Sequence, residues 1–244
     1  MPSCRTALVT GGSGGIGSEI CRRLASDGFR VVVHYGSDQK SADDVVRQIV
    51  DGGGTAVASS ADITEEADVE KLFDFATSKF GGLDAVVANA GTGGGGPIAD
   101  VKLSDFKRLL DVNLTGAFLT LREAARRLNE DGRLVFVSSQ LAERPRIGTG
   151  VYSATKAAVD AMIVAMSHEL GGRGITVNSV RPGATEPGMF ADSDDDRKQF
   201  FRELSPFKRI GHPSDIASVV SFLASKEACW ITGQHIRVDG GASN

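Results

Sequence analysis

Cysteine, histidine, tyrosine and tryptophan are all scarce in this chain of 244 residues, which carries three, four, two and one of them. The cysteines, Cys4, Cys21 and Cys229, are odd in number and far apart, which argues against a disulfide framework and fits a reducing compartment. The histidines, His34, His168, His212 and His235, never stand at metal-ligand spacing from one another or from a cysteine, so no metal site is expected. Positive charge is not in excess: the formal net charge is -4, the isoelectric point is near 5.6, and no arginine-lysine cluster stands out. Nucleic acid is therefore not an expected partner. Every apolar run falls short of the roughly 20 residues of a membrane span, and the N-terminus enters a strand pattern without a basic-then-apolar leader. A soluble, cytoplasmic protein with no membrane partner is expected. No linker-like shift in composition divides the chain, so 1–244 reads as one domain.

What the chain does have is a regular alternation of short β-branched runs with longer segments of helical period. The runs are Ala7 to Thr10, Val31 to His34, Ala56 to Ser59, Ala85 to Ala88, Leu134 to Val137, Ile175 to Val180 and His235 to Val238. Helical stretches lie between them at Gly15 to Ser26, Ala42 to Asp51, Glu65 to Phe80, Ser104 to Asn129, Val151 to Leu170 and Pro213 to Ser225. This order predicts an α/β protein: a single-domain Rossmann fold, with a doubly wound seven-stranded parallel sheet and helices on both faces. Ligands of such sheets bind at the carboxyl ends of the strands. The helix from Val151 carries small residues on two lines, Ala157, Ala161 and Ala165 beside Ala158, Met162 and Met166, suited to covering the sheet or to a subunit contact.

Thr10-Gly11-Gly12-Ser13-Gly14-Gly15-Ile16-Gly17 follows the first strand and opens the first helix, where free N-H groups and the helix dipole favour a pyrophosphate. Two registers fit. Gly12, Gly14 and Gly17 match the literal G-x-G-x-x-G, and Gly11, Gly15 and Gly17 match T-G-x-x-x-G-I-G. The second strand ends in Val33-His34-Tyr35-Gly36-Ser37, without the carboxylate that grips both ribose hydroxyls in NAD sites. Ser37 with Lys40 could receive a 2′-phosphate, which favours NADP(H), while Asp38 keeps NAD(H) open.

Tyr152 and Lys156 stand four apart in a helical stretch, on one face, so an ammonium is expected beside the phenol, lowering a pKa of about 10 towards neutrality. A tyrosine so tuned does general acid-base work, and the Ser139 hydroxyl can hold the same oxygen.

Taken in order, the glycine loop, Asn89-Ala90-Gly91, Asn113, Ser139 and Tyr152/Lys156 resemble a classical short-chain dehydrogenase/reductase over nearly the whole chain, with much of the likeness to 3-oxoacyl-thioester reductases. The resemblance implies the T-G-x-x-x-G-I-G register. It implies that Tyr152 is the acid or base, that Lys156 tunes it and binds the nicotinamide ribose, and that Ser139 orients the substrate. Asn113 would hold a water linking Lys156 to solvent. Asp62-Ile63 would meet the adenine, although a helix-capping aspartate is the competing reading. Asn89 to Gly91 would line the adenosine ribose, with Asn89 also bracing the central strands. Pro182, Gly183 and Thr185 would contact the cofactor, with Pro187 standing where the family often places a threonine. A mobile substrate lid would span about 184–210, with the Asp192 to Lys198 charge run as its solvated start.

Implied, then, is NADP(H)-dependent reduction of a ketone or aldehyde, or oxidation of a secondary alcohol, by a homo-oligomer, tetramer or dimer. Arg173 sits where carrier-protein enzymes often have a basic residue, whereas Glu130 would repel an acidic partner. Glu143-Arg144-Pro145-Arg146 could read a polar substrate or be a solvated loop. A regulatory protein that senses the nicotinamide pool is the alternative from another class.

Overall fold

Period-2 alternation of apolar residues decides the architecture of this computed structural model, which describes residues 5–188, 190 and 194–243. Cys4 and the start of the charge run at Asp192 lie outside the described residues. Ala7, Val9, Val31, Val33, Val135 and Val137 point to one face of the sheet, and Leu8, Val32, Val86, Leu134 and Phe136 to the other. Strands buried on both sides in this way are the mark of a parallel sheet covered by helices.

Seven strands form the sheet: β1 (Thr6–Val9), β2 (Arg30–Tyr35), β3 (Thr55–Ser60), β4 (Leu83–Ala88), β5 (Leu128–Val137), β6 (Thr176–Pro182) and β7 (His235–Val238). Their order is β3-β2-β1-β4-β5-β6-β7, and every pairing is parallel. Chain direction across the sheet reverses between β1 and β4, so a crevice opens at their carboxyl ends. Helices α1 (Gly15–Ser26), α2 (Gln39–Asp51) and α8 (Pro213–Leu223) cover the first face; α3 (Glu66–Phe80), α5 (Gly116–Arg127) and α6 (Gly150–Leu170) cover the second. The expected α/β fold with a doubly wound seven-stranded sheet is the one observed.

Three local features depart from the sequence reading. α2 starts three residues early because the Asp38 carboxylate caps it, accepting from the Ser41 N-H at 3.0 Å. The expected helix over Ser104 to Asn129 is two, α4 (Leu103–Leu110) and α5, joined by a π turn over Asp111–Thr115; Leu128 and Asn129 already belong to β5. The charge run is not simply a solvated loop: Asp194 accepts from the Arg197 N-H at 2.7 Å and starts α7 (Asp195–Leu204).

Candidate active site

The glycine loop is fastened from both sides. Gly11 has φ +64°, and its N-H donates to Nδ1 of His34 at 3.0 Å; the Gly12 N-H donates to the His34 carbonyl at 2.7 Å. His34 is 2 % exposed, and its Nε2 meets the Ala61 carbonyl at 3.1 Å. One nitrogen accepts and the other donates, which fixes a neutral ring with the proton on Nε2. Burial, against a smaller opposing effect of the Ala61 hydrogen bond, holds its pKa below the ordinary value. Sequence reasoning weighed His34 only as a missing carboxylate and as a metal ligand, and missed this role. From the other side, Asn89 Nδ2 donates to the carbonyls of Thr10 and Gly11, both at 3.0 Å, so Asn89 does brace β1 against β4. The backbone N-H groups of Asn89 and Ala90 both donate to the Thr10 hydroxyl.

Steric contacts separate the two glycine registers. A Cβ on Gly17 would stand 2.1 Å from the Gly11 carbonyl oxygen, and one on Gly15 2.4 Å from the Pro187 carbonyl oxygen, whereas Gly14 has nothing nearer than 3.6 Å. Gly12 and Gly14 are the residues that only the literal G-x-G-x-x-G needs; a Cβ on Gly12 would stand 2.9 Å from Cys21 Sγ in the core, but Gly14 is open. No side chain caps α1 and no acid lies in its first turn, so the N-H groups following Ser13, around Ile16, face a position suited to a phosphate. The cradle fits a dinucleotide pyrophosphate.

At the ends of β4 and β5 the other candidates meet. Lys156 is 2 % exposed; its Nζ donates to the Val137 carbonyl at 2.9 Å and lies 4.7 Å from the Phe136 ring centroid. A Cβ on Gly91 would be 3.2 Å from Asn113 Oδ1 and 3.4 Å from Lys156 Nζ, which brings all three together. Asn113, fully buried, clamps one residue: its Oδ1 accepts from the Thr92 N-H at 2.7 Å and its Nδ2 donates to the Thr92 carbonyl at 2.9 Å. The amide is spent on the β4 loop, and the π turn is the backbone distortion that carries it there.

Ser139 heads the turn after β5, its Oγ accepting from the Leu141 N-H at 3.1 Å. Tyr152 is half-buried, with its phenol close enough to the Ser139 hydroxyl to be influenced by it. The expected lowering of the phenol by Lys156 is not found. Burial is the larger influence and pushes Tyr152 above its ordinary value, with Ser139 pulling it back in part, because Lys156 Nζ lies 6.0 Å from the ring centroid and turns to Val137. Burial also drives the Lys156 ammonium down to about 8, opposed by the charge of Asp160.

The peripheral candidates are more varied. Tyr35 leans on the α1–α2 side of the core. Ser37 and Lys40 are exposed, and the Asp38 carboxylate between them is turned to Ser41. Asp62 does not cap α3, which begins at Glu66; it accepts from the Thr64 N-H at 2.9 Å and hydroxyl at 2.7 Å, staying exposed beside buried Ile63. Pro182 and Gly183 are tied to β7, Gly183 through the Val238 carbonyl at 3.1 Å. Thr185 is 6 % exposed and gives its hydroxyl to the Gly183 carbonyl at 3.0 Å, so it does not present a free donor in place of the missing threonine. Arg146, after Ser139, lies 5.5 and 5.3 Å from the ring centroids of Phe200 and Phe201 on α7. Arg173 is engaged internally, pairing with Glu130 at 3.1 Å and donating to the Ala125 and Leu128 carbonyls. Among the described residues no cluster suited to a metal ion occurs, and no helix is long and apolar enough to cross a membrane.

Residues 11–243 match the family model described as enoyl-(acyl carrier protein) reductase. The chain is 39 % identical to the versicolorin reductase of Emericella nidulans, covering 98 % of this chain and 95 % of that protein. Among solved structures, a short chain dehydrogenase from Burkholderia cenocepacia J2315 in complex with NADP has 38 % identity and a TM-score of 0.93, with 99 % of both chains covered. A promiscuous reductase that catalyses keto-reduction at C1 during lugdunomycin biosynthesis has 37 % identity and a TM-score of 0.92, with 98 % of both covered. With the glycine cradle and the Ser139, Tyr152 and Lys156 cluster at the carboxyl end of one sheet, these matches make the chain a member of the short-chain dehydrogenase/reductase family, an oxidoreductase.

Proposed function

We propose that the protein is an NADP(H)-dependent carbonyl reductase that converts a ketone or aldehyde to an alcohol, or runs in reverse on a secondary alcohol. The observation that carries this reading is the meeting of Ser139, Tyr152 and Lys156 beside the β1 glycine cradle. Bound nicotinamide supplies the hydride. Gly11, Gly15 and Gly17 let the backbone pack closely where its pyrophosphate would sit, and Lys156, with one donor on Val137 and two remaining, is suited to the ribose hydroxyls. Tyr152 gives its proton to the carbonyl oxygen as that oxygen gains charge, and Ser139 donates a hydrogen bond to the same atom.

NADP(H) is favoured over NAD(H) because Ser37 and Lys40 are open and Asp38 is drawn away by Ser41. The solved relative that carries NADP supports the same choice. Two relatives are named for reductions, which supports reduction as the working direction. An acidic carrier protein is disfavoured as substrate carrier, since Arg173 is already neutralised by Glu130. Residues 184–210, with α7, are read as the substrate lid, joined to the loop after Ser139 through Arg146. Exposed Phe118 on α5 and Val164 on α6 support a homo-oligomer built through these helices.

The test is oxidation of NADPH and of NADH, in parallel, over a panel of ketones and aldehydes, with Tyr152→Phe beside the wild type. Expected is turnover with preference for NADPH and a loss of about 10²-fold or more in Tyr152→Phe. Unchanged turnover in that variant would remove the assignment.

A further inference from the structure

Lys156 and Asp160 lie one turn apart on the same face of α6, and a second set of charges lies beyond them. Asp160 is 3 % exposed; its Oδ2 accepts from Arg181 Nε at 2.8 Å, and Arg181 Nη1 donates to Glu143 Oε2 at 2.7 Å. Oδ1 of Asp160 has no hydrogen-bond partner among the described residues; the nearby His235 Nδ1, at 3.8 Å, is engaged with the Ser179 hydroxyl at 2.7 Å. Ser179 and Arg181 are alternate residues of β6, so both face α6. A buried carboxylate with one oxygen unsatisfied is destabilising unless its charge has other work.

The charges around it do not cancel. Asp160 and Glu143 bring two negative charges and Arg181 one positive, while burial lowers the His235 pKa and keeps that ring neutral at ordinary pH. Tyr152, the other titratable group on this face of α6, is also neutral there. One negative charge is left over, and the buried cation on the same helix face is Lys156. No carboxylate forms an ion pair with Lys156 among the described residues. The separation has a chemical use, because a direct ion pair would occupy the Nζ donors.

We propose that Asp160 is a positioning residue which, locked by Arg181 and Glu143, keeps Lys156 in its ammonium form while leaving the Nζ donors free. This rests on the carbonyl-reductase reading, which gives that ammonium its use. The assignment explains why a carboxylate is buried with an oxygen unpaired, and why Arg181 reaches across to the Glu143 loop. Burial alone would carry Lys156 further towards the neutral amine, and Asp160 is the group that opposes it.

The test is a lysine titration by NMR on the full chain labelled with ¹³C at lysine Cε, comparing wild type, Asp160→Asn, Asp160→Glu and Glu143→Gln. Asp160→Asn is expected to lower the Lys156 midpoint by roughly one pH unit. Glu143→Gln should move it the same way by less, and Asp160→Glu should restore it. NADPH affinity, read by nucleotide fluorescence, should lose its alkaline limb at correspondingly lower pH in Asp160→Asn. An unmoved Lys156 midpoint in folded Asp160→Asn overturns the proposal. If that variant does not fold, Glu143→Gln decides, since its side chain is 39 % exposed, and an unmoved midpoint there has the same force. Failure of the wild type to bind NADPH at any pH would sink the carbonyl-reductase reading instead, with the Lys156 midpoint still deciding this one.

Discussion

The imidazole of His34 accepts the backbone N-H of Gly11 at 3.0 Å, so the turn that would cradle a pyrophosphate hangs from a buried, neutral ring on the neighbouring strand. Protonation would replace that acceptor with a second donor facing the Gly11 N-H.

His34 should therefore give the fold an acid-sensitive component. Its folded pKa lies below 6.5 because burial outweighs the Ala61 hydrogen bond. The unfolded chain then binds the proton more readily, and stability is lost as pH falls from 6.5 towards the folded value. His34→Gln cannot titrate. Thermal melts from pH 7.5 to 5 should show the wild type losing more stability than His34→Gln in that window, and parallel curves would contradict the clamp.

Alanine at two glycines three apart should behave oppositely. Gly11→Ala meets the Ala90 Cα at 2.9 Å from a left-handed backbone, and should cost about 1–3 kcal/mol with a matching loss of NADPH affinity. Gly14→Ala has an open site and φ -80°, and should cost under about 1 kcal/mol. Urea unfolding of both variants separates the two glycine registers, and equal losses would return the literal register to contention.

Removing the buried ammonium should stabilise the protein while ending activity. The Lys156 pKa falls from 10.5 to about 8, so the folded state holds its proton less tightly than the unfolded chain does. The attraction of Asp160 is already contained in that value. The resulting penalty is complete below pH 8 and vanishes as pH rises through 10.5, on the order of 3 kcal/mol at neutral pH. Lys156→Met should melt above the wild type at pH 7, with the gap narrowing above pH 8 and closing beyond pH 10.5. A wild type that melts higher at pH 7 would show that the ammonium is not under strain.

Much of this was legible in the sequence because the relevant signals are local. The seven strands announce themselves by β-branched runs, and Gly15 to Ser26 was placed to the residue. Features that depend on distant partners were not legible. The break between α4 and α5 follows from the grip of Asn113 on Thr92, 21 residues away, and nothing in Asp111-Val112-Asn113 signals it. His34 and Gly11 are 23 apart, and the strand-end position was weighed for the acid it lacks rather than the ring it has. α7 was hidden by its own acidic start: Asp194 to Asp196 reads as solvated chain, until one sees Asp194 as a cap and Phe200 and Phe201 against Arg146. Spacing placed Tyr152 and Lys156 on one face, but the direction of the lysine stem, towards Val137, belongs to the packing.

The contact between Gly15 and Pro187 carries a further consequence. A single Cβ on the first residue of α1 would run into the backbone of the segment after β6, so the floor of the cofactor cradle and the base of the proposed lid touch with no side chain between them. Linkage between such sites is reciprocal: whatever factor a bound dinucleotide imposes on the position of Pro187, that position returns to dinucleotide affinity. A dinucleotide that shifts Pro187 on binding would therefore make the affinity for substrate depend on whether the cofactor is already bound, and the reverse to the same extent.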